Sequence, residues 1–262
     1  MRHVIDLFSV FVRIGFMNET AYRANFFVQA FESVITLVTA LGAIAIVFAQ
    51  TDTLGGWTSP ELVSLIGVYF LVLGGINIVI APSLQQFMED VVTGNLDYTL
   101  TKPADAQLLV SISQFQMWKL IDVGLGLAVL LLGTGQQASQ LGLASALGFL
   151  VAMLCGAAIV YSFWIVLATL AFWFIRIENI LQIFWAMYMA GRWPVGIYPN
   201  WLRWILTLVV PVAFAVTVPA EALSGRLSLE VLVGSLSLAA ALLLFSRWFW
   251  RRGLRRYAGA SA

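Results

Sequence analysis

The 262-residue chain is 61% hydrophobic and only 10% charged, with a mean hydropathy of +0.93. Soluble domains average about 45–50% apolar and about 25% charged residues, so this composition excludes a soluble enzyme and, with so much apolar surface to bury, a disordered chain. One cysteine (Cys155), one histidine (His3) and a net charge of +1 exclude a disulfide framework within the chain, a Cys-rich or His-Glu-His metal site and a field that attracts nucleic acid.

An integral membrane protein remains, and its expected elements follow in chain order. Residues 3–17 read as a helix lying in the membrane interface. Val4, Leu7, Phe8, Phe11 and Ile14 share one face, and Asp6, Ser9 and Arg13 form a narrow polar stripe. A bilayer core of about 30 Å takes about 20 apolar residues to cross as a helix. The uncharged runs place six spans at roughly 25–50, 60–82, 108–133, 142–172, 179–197 and 228–248.

Glu32 sits near the start of the first span, and Asn77 lies beside Gly74-Gly75 in the second. The stretch from Ser83 to Ala106 is the one long inner loop. It opens with an amphipathic segment, Leu84 to Thr93, stopped by Gly94. Asn95 to Pro103 then reads as extended, because Pro103 biases Lys102 away from helix. Glu89, Asp90, Asp97 and Asp105 face Lys102 alone in this loop. With Phe87 and Met88 expected at its surface, the loop suits a docking partner; the alternative is a solvated loop with a membrane-facing apolar side.

In the third span Lys119 and Asp122, three apart, share a helix face and can pair. They line a pathway or a subunit interface, or they are a self-neutralising pair near the inner boundary. The fourth span carries Ala144, Gly148, Ala152 and Gly156 at four-residue spacing, a stripe suited to close packing inside the subunit, the alternative being a dimer seam. Cys155 reads as a small core residue. Trp201 to Val218 is apolar but is interrupted by Arg203 and Pro211 and flanked by Pro199 and Pro219. Proline removes a backbone donor, so this stretch reads as a broken, partly inserted helix pair. Trp57, Trp193, Trp201, Trp204, Trp248 and Trp250 read as interface anchors.

Six spans put both termini on one side. With the termini inside, the inner side holds Arg2, Arg13, Arg23, Lys102, Arg176, Arg247, Arg251, Arg252, Arg255 and Arg256. The outer side holds Arg192, Arg203 and Arg226. Basic residues concentrate on the cytoplasmic side, which makes both termini cytoplasmic.

The run Gly94-Asn-Leu-Asp-Tyr-Thr-Leu-Thr-Lys-Pro103 resembles the first inner loop of type-2 ATP-binding-cassette exporter permeases, and more narrowly the six-span uncharacterised transport-system permease branch. Gly56-Trp57, Ile197-Tyr-Pro199, Val210 to Phe214, Val218-Pro-Ala220, Gly225-Arg226 and the tail Phe249 to Ala260 continue the likeness in order. The resemblance implies an all-α integral membrane protein with six transmembrane helices. It adds an N-terminal interfacial helix, an inner coupling helix and an outer broken helix pair between spans five and six. It implies a coupling helix over roughly Gln85 to Gly94, with Phe87, Met88, Glu89, Asp90, Gly94, Asp97, Lys102 and Pro103 as the coupling residues. It makes the outer pair, with Pro199, Arg203, Pro211 and Pro219, an outward gate.

The implied partners are an ATP-binding-cassette ATPase subunit in two copies, a second permease chain, identical or related, and the bilayer of a bacterial cytoplasmic membrane. No Gly-x-x-x-x-Gly-Lys-Ser/Thr phosphate loop occurs here, so this chain carries no cofactor, and ATP and Mg belong on the ATPase. Glu32, Asn77, Lys119 and Asp122 are the candidate pathway or interface residues. The competing readings are a secondary transporter, whose internal repeat is not visible, a non-catalytic scaffold, and a membrane enzyme, for which no catalytic cluster is present.

Overall fold

A computed structural model describes residues 23–137, 142–174 and 178–257. The interfacial helix expected over 3–17 lies outside them. All regular elements among the described residues are helical. α1 is Arg23–Phe48, and α2, Ser59–Gly75, runs through a π-helical stretch, Ile76–Ile80, into α3, Ala81–Thr93. The short α4 (Leu96–Leu100) and α5 (Ala106–Ser111) lead to a 3-10 turn, Met117–Lys119, and then α6, Leu120–Gly135. α7, Leu143–Thr169, ends in a 3-10 turn over Leu170–Phe172. α8, Glu178–Tyr188, is followed by 3-10 turns at Met189–Arg192 and Val195–Ile197. α9 (Asn200–Trp204, extended by a π-helical Ile205–Val209) and α10 (Val218–Leu223, preceded by a π-helical Ala213–Thr217) form a pair bent by 78°. α11 is Leu229–Leu254.

Among the described residues five helical stretches are long and apolar enough to cross a membrane: Phe26–Phe48, Ser59–Thr93, Met117–Gly135, Leu143–Phe172 and Leu229–Leu254. Their boundaries correct the expected spans in three places. The second span does not stop at residue 82. It continues as one 35-residue stretch to Thr93, about 50 Å at 1.5 Å per residue, well beyond a bilayer core of about 30 Å.

Pro82 fails to end this helix for a specific reason. It has no N–H for the Ile78 carbonyl four residues earlier, and its ring crowds that carbonyl. The π register before it opens the turn, and the freed Ile78 carbonyl accepts the backbone N–H of Gln116 at 2.9 Å. Next to it the Ser83 hydroxyl donates to the Gln114 carbonyl and accepts the Gln114 N–H, both at 3.0 Å. The segment 112–116 thus staples the helix where proline weakens it. This also splits the third expected span, 108–133, into α5 and the 117–135 stretch.

The third correction concerns residues 179–197. They carry the chain across, but helix covers only the first part. Phe184 packs on Phe163, Gly191 lies against Val212 and Tyr69, and Ile197 abuts Gly55. Likewise Asn95 to Pro103 is not extended. α4 occupies its centre, because Pro103 restrains only Lys102, beyond the helix end.

α2 and α6 pack antiparallel with a glycine at each crossing turn. A Cβ at Gly67 would lie 2.5 Å from the Leu130 backbone nitrogen, one at Gly126 2.8 Å from that of Leu71, and one at Gly133 2.6 Å from that of Ser64. No side chain fits between these backbones, as in close-packed membrane helices. On α7, Gly156 faces the Phe214 carbonyl at 2.7 Å, Gly148 faces Ala222 and Leu227, and Ala152 is buried. Gly148, Ala152 and Gly156 of the small-residue stripe therefore pack inside the subunit, whereas Ala144 is exposed. Cys155 sits in a small cluster with Ile159 and Ala239.

The bent pair does not cross. Ile197, just before it, touches Gly55, and Arg226, just after it, pairs with Glu61. Both its ends thus sit at the Gly55–Glu61 hairpin end, and Pro211 marks the bend. α1 arrives at this end through the 49–58 connection, and α11 leaves it for the opposite end, where Trp250 meets Phe87. The starts of α1 and the close of α11 therefore share the end that bears Thr93, called here the tip end.

Candidate translocation cavity and tip surface

Four polar residues scattered over three spans converge. Glu32 of α1, Asn77 of the π-helical stretch, and Lys119 and Asp122 at the start of α6 line one cavity of about 240 Å³, with Tyr69 and Arg192 completing it. Lys119 Nζ stands 3.6 Å from Asp122 Oδ2, and the Asp122 side chain is only 5% exposed. Arg192 donates from Nε to the Tyr69 hydroxyl at 3.4 Å, and its guanidinium carbon lies 5.6 Å from the Tyr69 ring centre.

Arg192 corrects the side counting. It does not sit at the hairpin end, but beside Tyr69, about 15 Å along α2 from Ser59. Charge placed that deep is costly and defaults to a functional role. The cavity holds two acids and two bases, so its charge balances without neutralising every group in place. Among the described residues Lys119–Asp122 is its one ion pair.

A second cavity of about 330 Å³ adjoins the first through Asn77 and Trp185 and reaches toward the tip end along α3. Its wall adds Gln85, Gln116, Gln182 and Trp164. The Trp164 ring meets Trp185 edge-on at 5.8 Å. Among the described residues no charged side chain lines it.

At the hairpin end Leu54 and Trp57 form a bridge closed by Gly55 and Gly56, at φ of 58° and 82°, a turn that needs residues tolerant of positive φ. The Glu61 carboxylate accepts the Thr58 N–H at 2.7 Å, the reciprocal half of a capping box. It also takes Arg226 Nη2 at 2.7 Å on both oxygens. The Arg226 guanidinium stacks over the Trp57 ring at 5.1 Å. Trp57 is therefore buried rather than an interface anchor, and so is Trp250. Trp201, Trp204 and Trp248 are exposed, as anchors should be. Of the expected gate residues, Pro199 precedes α9, Arg203 is exposed on it, Pro211 is buried at the bend and Pro219 opens α10. Glu61 escaped the sequence reading, although Thr58-x-x-Glu61 is a visible capping signature.

At the tip end, Phe87 and Met88 are buried, not exposed. Phe87 packs against Phe172 at 5.5 Å and Trp250 at 5.1 Å, which joins α3 to the ends of α7 and α11. Gly253 is required there, since a Cβ would lie 2.6 Å from the Phe172 ring. Gly94, at φ 79°, ends α3 in the left-handed conformation. The exposed face beyond the cluster includes Glu89, Val92, Tyr98, Lys102 and Pro103, with Asp90 and Asp97 half-buried beside it. Tyr98 is 75% exposed and Val92 57%.

Asp105 caps α5 by accepting the Leu108 N–H at 3.1 Å, and its carboxylate is clamped by Arg247 of α11, with Nη1 to Oδ1 at 2.8 Å. The Arg247 guanidinium, assisted by the Leu108 and Gln107 amides against a smaller burial effect, holds Asp105 below its ordinary value of 3.8. A carboxyl whose folded pKa is depressed adds stability above the unfolded value and loses it as pH falls through the folded one. Thermal midpoints of the wild-type chain should therefore drop more steeply below about pH 4 than those of Asp105→Asn. Equal slopes for the two proteins would show that the clamp does not favour the charged form.

No group of three or more His, Cys, Asp or Glu side chains among the described residues could hold a metal ion. The profile of the family described as "ABC-2 family transporter protein" matches residues 34–261. No curated protein and no solved structure matches the chain.

Proposed function

Because the chain belongs to the ABC-2 transporter family and is a membrane subunit of such a transporter, we propose that it couples ATP hydrolysis on a separate ATPase to export by alternating access. In this reading two ATPase copies and a second permease chain, identical or related, complete the complex in a bacterial cytoplasmic membrane, with both termini cytoplasmic. ATP and Mg act on the ATPase, and this chain supplies binding and movement only.

The observation that carries the reading is the 35-residue stretch Ser59–Thr93. It begins at the hairpin end, passes both cavities and reaches the tip capped by Gly94. The coupling surface is then Glu89, Val92, Tyr98, Lys102 and Pro103, with Asp90 and Asp97 at its edge. Phe87 and Met88 act behind it, as the packing that fixes the tip to α7 and α11. The bent pair, with Pro199, Arg203, Pro211 and Pro219, closes the hairpin end as an outward gate. Glu32, Asn77, Lys119 and Asp122 line the path.

The test is co-purification from native membranes in mild detergent, followed by ATPase assay. A stoichiometric ATPase is expected with the wild-type chain. Val92→Glu combined with Tyr98→Ala should leave insertion and thermal midpoint unchanged but lower recovered ATPase at least tenfold. Full recovery with the double variant would move the docking surface elsewhere, and absence of any ATPase from the wild-type complex would remove the coupling reading.

A further inference from the structure

In the 330 Å³ cavity beside the charged one, the polar side chains of the lining, the indoles aside, are all carboxamides. Asn77, Gln85, Gln116 and Gln182 present four carboxamides, and Trp164 and Trp185 present two indoles. None of the four carboxamides has a hydrogen-bond partner on the protein among the described residues. Each offers two N–H donors and a carbonyl acceptor on one planar edge. Polar groups left without protein partners in a cavity wall are available to a ligand, and a ligand that leaves them unmatched loses affinity.

From this lining we infer a binding site for an uncharged polyhydroxylated ligand, a glycan or the sugar headgroup of a glycolipid. Three features converge on that class. A hydroxyl is donor and acceptor at once, so vicinal hydroxyls match the paired N–H and C=O of a carboxamide edge. The C–H face of a sugar ring packs flat on an indole, and Trp185, half-buried at the junction of the two cavities, is held for that contact by Trp164 edge-on at 5.8 Å. The absence of charged side chains among the described lining residues disfavours ionic ligands, which would arrive without a counter-charge. The volume falls at the small end of ligand pockets, about 300–1,000 Å³, which suits one or two sugar rings. The neighbouring balanced cavity with Glu32 and Arg192 then lies further along the same path.

This inference rests on the reading of the chain as a transporter subunit, but its test needs no ATPase. The full chain is placed in nanodiscs, and saturation-transfer NMR is recorded with maltose as a soluble probe. A parallel set of nanodiscs contains monoglucosyl diacylglycerol. Maltose should show saturation transfer, with affinity at least tenfold lower in Gln116→Leu and in Trp185→Ala and largely retained in Trp185→Phe. If the glucosyl lipid abolishes the maltose signal, the headgroup is the source. If maltose binds undisturbed by that lipid, a soluble glycan is.

A capped tetraglycine with an equal signal, lost in the same variants, would overturn the assignment in favour of a peptide. Absence of binding by both sugar probes, or binding indifferent to Gln116→Leu and Trp185→Ala, would overturn it outright. The same holds if Gln182→Leu changes oligomeric state while no sugar binds, since the amides would then belong to a subunit interface. Failure here leaves ATPase recovery by the wild-type chain untouched, and loss of ATPase recovery leaves sugar binding untouched, so the two readings fail separately.

Discussion

Replacing Arg226 by methionine is expected to destabilise the chain by about 3 kcal/mol. The loss comes from what stays behind. Glu61 is 7% exposed at its side chain and receives Arg226 on both carboxylate oxygens. Without the guanidinium, a buried carboxylate keeps only Thr58, whose N–H and hydroxyl reach it at 2.7 and 3.0 Å. The indole of Trp57 also loses its stacked cation.

Glu61→Gln should cost less, because a neutral amide still takes the Thr58 contacts and Arg226, 37% exposed at its side chain, can reach water. The double variant Glu61→Gln, Arg226→Met should recover most of the loss. Thermal unfolding in detergent, with cleavage of the hairpin end by protease as a second readout, measures all three. If Arg226→Met melts within about 0.5 kcal/mol of wild type, the clamp does not hold the bent pair to α2.

The second large effect is expected at Gly67. A leucine there has no room: the first carbon alone would lie 2.5 Å from the Leu130 nitrogen and 2.7 Å from its Cα. Backbone cannot rotate aside as a side-chain end can, so α2 and α6 must separate along their whole seam. Overpacking typically costs about 1–3 kcal/mol, and a clash with backbone falls at the upper end, enough to lower recovery of monodisperse protein. Gly124→Leu is the control, since nothing lies within 4 Å of a Cβ at that position. Size-exclusion profiles of the two variants should differ sharply. Indistinguishable profiles would mean the seam is not closed in the membrane.

The sequence made the helical class legible because apolar runs of span length admit few other structures in a bilayer. It also made the bent pair legible, through Pro199, Pro211 and Pro219, and it picked out Glu32, Asn77, Lys119 and Asp122, because polar groups are conspicuous in apolar runs. That these four meet in one cavity was not legible, since convergence is a property of how α1, α2 and α6 pack.

The errors have a common origin. Pro82 read as a stop because local backbone chemistry says so, and the stop was lifted by Gln116, 34 positions away. Phe87 and Met88 read as exposed because the loop around them is polar, whereas their partners Phe172 and Trp250 come from two distant helix ends. Arg192 was counted as an end residue because basic side chains usually are. Its placement depends on Tyr69, which no spacing rule connects to it.

The staple between Ile78, Ser83 and the 112–116 segment has a mechanical consequence. A long helix that leaves the membrane can act as a lever, but a proline normally gives it a hinge, and a hinge absorbs motion instead of passing it on. Here the hinge is bound from outside by Gln114 and Gln116, and Lys119 follows three residues later, at the mouth of the charged cavity. Displacement of the tip therefore cannot be spent as bending at Pro82. On the coupling reading proposed above, it would instead move the base of α6, and with it the Lys119–Asp122 pair. The point where the helix is chemically weakest is thus also the point where it is bonded to the segment that leads into the neighbouring helix.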